Sequence, residues 1–173
     1  YTEHHDVINE WNGYYRFDRS DKITGLNELV RGMSLRDLHS PLYISTGSDL
    51  CLDAKPGDRV EVPLYASFMT DVAPDRELVL RAQQFGWDSL GRPWALGQET
   101  RRLAFKPWMS EELPPLKLKM PQGRGLLMVA LQLETTAGFA LHRNFTTIRV
   151  SDGPNPRDQS HKFGKSTVRA VRF

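Results

Sequence analysis

Alternation of apolar and polar residues dominates the chain from Leu42 to Val150. Val60, Val62, Leu64, Ala66 and Phe68 alternate with Arg59, Glu61, Pro63, Tyr65 and Ser67. Successive side chains of a strand point to opposite faces, so this spacing predicts a half-buried β-strand. Pro63 has no amide donor, which puts the strand at a sheet edge or gives it a bulge. Leu78, Leu80 and Ala82 alternate with Glu77, Val79 and Arg81 and predict a second strand. Thr100–Phe105 and Leu116–Met120 are shorter candidates. Leu126–Leu133 is apolar on both faces, as a central strand is. Phe139–Val150 follows Thr136-Ala137-Gly138, a hairpin-turn signal. Lys55-Pro56-Gly57-Asp58, Ala73-Pro74-Asp75, Pro114-Pro115 and Pro121-Gln122-Gly123 punctuate these runs as turns. About seven short strands so spaced over ~110 residues predict an antiparallel β-sandwich of immunoglobulin-like type.

The flanks differ in texture. Tyr1 to Ile8 reads as a short strand entering a loop. Thr24 is placed to cap a short helix over Gly25–Arg31, with Gly32 as its stop. Ser34-Leu35-Arg36-Asp37 has capping-box spacing and predicts one more helical turn. Ser40-Pro41 ends helical structure, because the residue before proline is driven to extended geometry. Gly153-Pro154-Asn155-Pro156 reads as a linker, and Val168–Phe173 as the start of a further strand. The expected organisation is therefore residues 1–41, a sandwich over 42–151, and a linker with the start of a strand over 152–173.

Composition narrows the function classes. The chain has 173 residues, 39% of them hydrophobic and 25% charged, in the range of a globular domain rather than a disordered one. Its net charge of +2 balances 23 basic against 21 acidic residues and gives no reason to propose nucleic acid as a partner. The basic stretch His161–Arg172 reads as a solvated tail. No apolar run reaches the ~18 residues of a membrane span, so no membrane partner is proposed either. Cys51 is the single cysteine, which excludes an internal disulfide and a cysteine metal site. Between Leu50 and Leu52 it reads as a buried, inert thiol. Asn144-Phe145-Thr146 matches a glycosylation sequon, a pattern frequent by chance.

Candidate chemistry crowds the first residues: Glu3, His4, His5, Asp6, Glu10, Trp11 and Asn12. A chain that opens on such a cluster, without a start methionine, reads as a piece of a larger protein. His4 and His5 are adjacent, so on a strand they face opposite ways and do not share a metal; no metal or other cofactor is expected. Paired carboxylates for glycoside hydrolysis have to stand about 5–5.5 Å apart in a retaining enzyme; residue type alone would allow Glu3 with Asp6, or Glu3 with Glu10, but strand–loop geometry does not guarantee that they converge, and a lone strand does not build a pocket. A second cluster is Phe85-Gly86-Trp87-Asp88-Ser89-Leu90-Gly91-Arg92-Pro93-Trp94. Its aromatic side chains around a Gly/Pro turn form either a sugar-stacking site of Trp87, Arg92 and Trp94 or an aromatic plug. Trp108, between Pro107 and Met109, reads as packing.

Thr2-Glu3-x-x-Asp6 followed by Glu10-x-Asn12-Gly13-x-x-x-x-Asp18 resembles a segment of glycoside hydrolase family 2, the β-galactosidase and β-glucuronidase group. Gly57-Asp58-Arg59-Val60 and His142-Arg143-Asn144-Phe145 look like the first full strand and the last strand of that family's sandwich. The resemblance covers roughly residues 1–151. It implies that the start of the chain is the eighth strand of a (β/α)₈ barrel with its closing helix, a short α/β remnant ahead of the sandwich. The family's two catalytic glutamates lie on barrel strands absent from this chain, so no catalytic residue is assigned here. Glu3, His5, Asp6 and Trp11 would then line the rim of the parent's substrate pocket, since barrel sites lie at the C-terminal ends of strands. His4-His5 departs from the family's usual aromatic or aliphatic residues and leaves the sugar open. The implied partners are the rest of the parent hydrolase and carbohydrate. The compartment stays open, a periplasmic or secreted one included. An independent carbohydrate-binding module built on the Trp87/Trp94 loop, and a protein–protein interaction sandwich, are the alternatives.

Overall fold

The computed structural model describes residues 30–47, 51–72 and 74–153. The expected strand at Tyr1–Ile8, most of the expected helix at Gly25–Arg31 and the expected strand at Val168–Phe173 lie outside these residues.

The described elements are a one-turn helix α1 (Leu35–Leu38) and strands β1 (Leu42–Ser45), β2 (Cys51–Ala54), β3 (Arg59–Phe68), β4 (Glu77–Asp88), β5 (Pro93–Ala104), β6 (Met109–Lys119), β7 (Gly125–Thr135) and β8 (Ala140–Val150). They form two sheets, β1-β3-β6 and β2-β8-β7-β4-β5. Apolar alternation drives each inner face together. Val62, Leu64, Ala66 and Phe68 of β3 are buried against one core with Leu78 and Leu80 of β4, Leu127, Val129, Leu131 and Leu133 of β7, and Ile148 of β8. Burial of such side chains stabilises by roughly 1.5–3 kcal/mol each, the dominant favourable contribution to the fold. The protein is a mainly β, two-sheet sandwich. One pairing departs from the antiparallel expectation: β2 runs parallel to β8, with Cys51 opposite Thr147 and Ala54 opposite Val150.

The prolines are placed differently from the expected turns. Pro114-Pro115 does not separate strands but lies inside β6. The β3–β6 register jumps from Val62↔Leu116 to Leu64↔Leu113, so Pro63 faces Pro114-Pro115 at an irregularity. None of these three residues has an amide hydrogen to lose, and the donorless stretches of both strands coincide. β3 is thus an inner strand carrying a bulge, not an edge strand. Arg101 of β5 reaches across the open side of the sandwich, where Nη1 donates to the Pro114 carbonyl and Nη2 donates to the Pro115 carbonyl, the latter at 2.9 Å. Similarly, Phe85–Asp88 and Pro93-Trp94 are strand ends rather than loop, and only the residues between them turn.

Candidate functional site

The outer face of the five-stranded sheet carries two unlike halves, and the register explains both. Across β5, β4 and β7 the outward rows read Thr100–Arg81–Gln132, then Gln98–Gln83–Ala130, then Ala95–Phe85–Met128, then Pro93–Trp87–Leu126. The first rows are polar and the last are apolar. Phe85 and Trp87 meet edge to face at 5.8 Å, a favoured aromatic geometry. Val30 and Met33 pack on this apolar half with Met128, Ala130 and Phe145, forming a second small core.

Residues 30–46 are tied to β8 by a sequence of specific bonds. Gly32 has φ +81, the left-handed geometry that ends a helix or turn. A Cβ there would stand 2.9 Å from Nη2 of Arg143, the flexible tip of a side chain that can yield, so it is the positive φ that favours glycine. Asp37 Oδ2 accepts the Ser34 amide at 2.8 Å, which holds the turn of α1, while Oδ1 accepts the Arg143 amide at 2.7 Å. Nδ1 of His142 accepts the Ile44 amide at 3.2 Å. Asn144 Nδ2 donates to the Ile44 carbonyl at 2.8 Å, and its Oδ1 accepts the Phe145 amide at 2.8 Å. Both the nitrogen and the oxygen of the sequon asparagine's amide are thus in hydrogen bonds. Burial pushes the His142 imidazole down to about 4, partly offset by the Asp37 carboxylate. It is therefore neutral at pH 7, with Nδ1 as the acceptor and the proton on Nε2.

The polar half is organised by Glu134, only 3% exposed. One carboxylate oxygen receives Arg81 Nε at 2.5 Å and the other receives Gln132 Nε2 at 2.8 Å. Gln98 Nε2 donates to Thr100 Oγ1 at 3.5 Å. Between these side chains and Val30–Arg31 lies an open groove of about 480 Å³, lined by Arg81, Gln83, Phe85, Gln98, Ala130 and Gln132.

The residues singled out in the sequence are distributed as follows. Glu3, His5, Asp6 and Trp11 lie outside the described residues. Trp87 is on the outer face beside Phe85. Trp94 pairs with Gly86 rather than with Trp87, so it faces the other way and packs on the main core. The two tryptophans are on opposite faces and do not form one platform. Arg92 turns back on its own hairpin, with Nε 2.6 Å from Asp88 Oδ2. Asp88 Oδ1 accepts the Leu90 and Arg92 amides, both at 2.9 Å. The Arg92 amide bond, ahead of the Arg92 guanidinium, holds the Asp88 carboxyl below its usual range. Trp108 is not packed: it is 67% exposed and sits at φ +54, an uncommon conformation for an aromatic residue. Cys51 is half-buried rather than buried.

Arg81, Gln83, Gln98, Gln132 and Glu134 were not picked out by motif. Their signal is the polar alternation of β4 and β5 and the Gln132 and Glu134 positions at the end of the apolar β7 run, which becomes a site only when the register is known. No protein-family model matches this chain, and no curated protein matches it.

Proposed function

We propose that this chain is a non-catalytic, immunoglobulin-like accessory domain that fixes the segment preceding it, within a glycoside hydrolase resembling family 2. The observation that carries the reading is the wiring of residues 30–46 into β8 through Asp37, His142, Arg143 and Asn144, with Val30 and Met33 seated on Phe85 and Met128. A domain linked by a flexible tether needs none of these bonds. A domain that orients its upstream neighbour needs a rigid joint at this position. The immunoglobulin-like type is supported by a first strand divided between the sheets as β1 and β2, and by the hairpins β4–β5 and β7–β8 in one sheet. The hydrolase part of the reading rests on the likeness of residues 1–18 to the last barrel strand. The parent would hydrolyse O-glycosidic bonds, with Glu3, His5, Asp6 and Trp11 at its pocket rim and the catalytic pair supplied by upstream strands. Opposite orientations of Trp87 and Trp94 weigh against a binding module built on that pair.

The test compares the full-length product of the encoding gene with this 173-residue chain on a panel of aryl glycosides. The reading expects turnover by the full-length protein, none by the chain, and loss of turnover in the full-length Asp6→Ala variant. Turnover by the chain itself, or a full-length protein inactive on every glycoside, rejects it.

A further inference from the structure

Among the described residues, Val30 and Met33 cover the apolar half of the outer sheet face and leave the polar half open. We propose that this open half is a saccharide-binding groove, in which a pyranose ring hydrogen-bonds Gln83, Gln98, Gln132 and Arg81 and rests its apolar C–H face by Phe85 and Ala130. The proposal stands apart from the hydrolase reading, because it concerns binding by this chain alone.

Size and lining both support a sugar. The groove, about 480 Å³, lies within the range of small-molecule sites and holds more than one ring. A sugar hydroxyl both donates and accepts, and so does a primary amide. Gln83 and Gln98 are directly opposite on β4 and β5, while Gln132 lies opposite Arg81 on β7. Four hydrogen-bonding side chains thus converge from three adjacent strands, a more rigid platform than a loop. Arg81 does not make the groove a simple anion trap, because the Glu134 carboxylate contacts it directly. Arg31, exposed at the rim, is in no ion pair among the described residues and extends the ligand class to uronic acids.

Glu134 gives the groove its preorganisation. A buried carboxylate is a weak source of stability compared with an apolar residue in its place. Here both of its oxygens are committed, one to Arg81 Nε and one to Gln132 Nε2. Those bonds fix the two side chains while leaving the Arg81 Nη groups and Gln132 Oε1 to a ligand. Gln83 makes no side-chain hydrogen bond among the described residues. Glu134 is a positioning residue, acting through the two side chains it holds.

The experiment is an NMR titration of the 173-residue chain, following side-chain amide and arginine resonances. The probes are neutral trisaccharides of β-1,4-glucan, β-1,4-galactan and β-1,4-xylan, together with trigalacturonate and inorganic phosphate. At least one trisaccharide is expected to shift the Gln83, Gln98 and Gln132 amides, with Kd below about 10 mM. The neutral and uronate arms then separate the two sugar classes. The exposed double variant Gln83→Ala/Gln98→Ala should abolish the shifts with the remaining spectrum unchanged. Glu134→Gln, which keeps the shape but weakens the hold on Arg81, should raise Kd about tenfold. Arg92→Ala, outside the groove, should leave Kd unchanged. The proposal is overturned if no trisaccharide shifts these amides, if the double variant binds as well as the parent chain, or if phosphate produces the same shifts.

Discussion

Nδ1 of His142 accepts the backbone amide of Ile44 at 3.2 Å, although the two residues belong to different sheets. β1 pairs with β3 on one side only, and its other edge would be an open row of backbone groups. His142 takes the Ile44 amide, and Asn144 supplies a donor for the Ile44 carbonyl. Side chains of β8 therefore complete a backbone edge that no strand among the described residues covers. Tyr43 lies against the imidazole with ring centroids 4.2 Å apart, which keeps the ring in place.

A pH dependence of stability follows. The folded-state pKa of His142 is lowered from 6.5 to about 4, so the unfolded chain binds a proton that the folded chain refuses between these values. Stability is full above pH 6.5, declines as pH falls through the window, and has lost this contribution by pH 4. A gap from 6.5 to about 4 corresponds to roughly 3 kcal/mol. Asp88 and Asp152, both lowered from 3.8, titrate below this window and lose their contribution only in stronger acid. Urea denaturation at pH 7 and pH 4.5 measures the difference. His142→Asn, which keeps an acceptor near Nδ1 but cannot titrate, should flatten the curve between pH 4.5 and 7; an unchanged slope would remove His142 as its source.

Asp37→Ala should cost about 2–4 kcal/mol, because it removes an acceptor from the Ser34 and Arg143 amides together and takes the carboxylate away from the Arg143 guanidinium. The effect should be local as well as global. Limited proteolysis near residues 30–40 should speed up before the sandwich itself becomes cleavable. Equal acceleration across all strands would mean that Asp37 supports the fold without serving as a joint.

Gly125→Ala tests close packing of two strands. An added Cβ would stand 2.0 Å from the Trp87 carbonyl oxygen and 2.7 Å from the Trp94 ring. Backbone does not yield as a flexible side chain does, so the expected loss is at least about 2 kcal/mol. Thermal denaturation is the readout, and a Tm within a degree of the parent chain would refute this packing.

Trp87→Ala and Trp94→Ala should behave differently, because the rings lie on opposite faces. Trp94→Ala opens a cavity at the main core and should cost about 3 kcal/mol of global stability. Trp87→Ala should chiefly release Val30 and Met33 from the outer face, seen as faster exchange of the Met33 amide. Matching losses with no local effect at Met33 would contradict the two-face arrangement.

Much of the sandwich was legible in the alternation. Val60 to Phe68 and Leu126 to Leu133 announce their strands, because inward positions repeat at the strand period. The Ser34–Asp37 spacing likewise announces the turn of α1. What remained hidden depends on partners far away in the chain. Pro114-Pro115 reads as a break until Pro63 is seen opposite it. The Phe85–Trp94 stretch reads as one aromatic loop until the pairing sends Trp87 and Trp94 to opposite faces. Arg81, Gln83, Gln98 and Gln132 look like ordinary solvated positions, and only register gathers them around Glu134. Trp108 misleads for a different reason: flanking Pro107 and Met109 suit packing, but the left-handed backbone turns the ring to solvent.

Native-state hydrogen exchange of the 173-residue chain decides whether residues 30–46 and β8 open as one rigid unit. The amides of Met33, Ile44 and Arg143, bonded to the Val30 carbonyl, His142 and Asp37, are the reporters. They should exchange with the same free energy of opening as Leu131 in the centre of β7. Exchange of these three amides about a hundredfold or more faster than that of Leu131, an opening cheaper by ~2.7 kcal/mol, would show the segment detaching while the sandwich stays folded, and residues 30–46 would then be no joint.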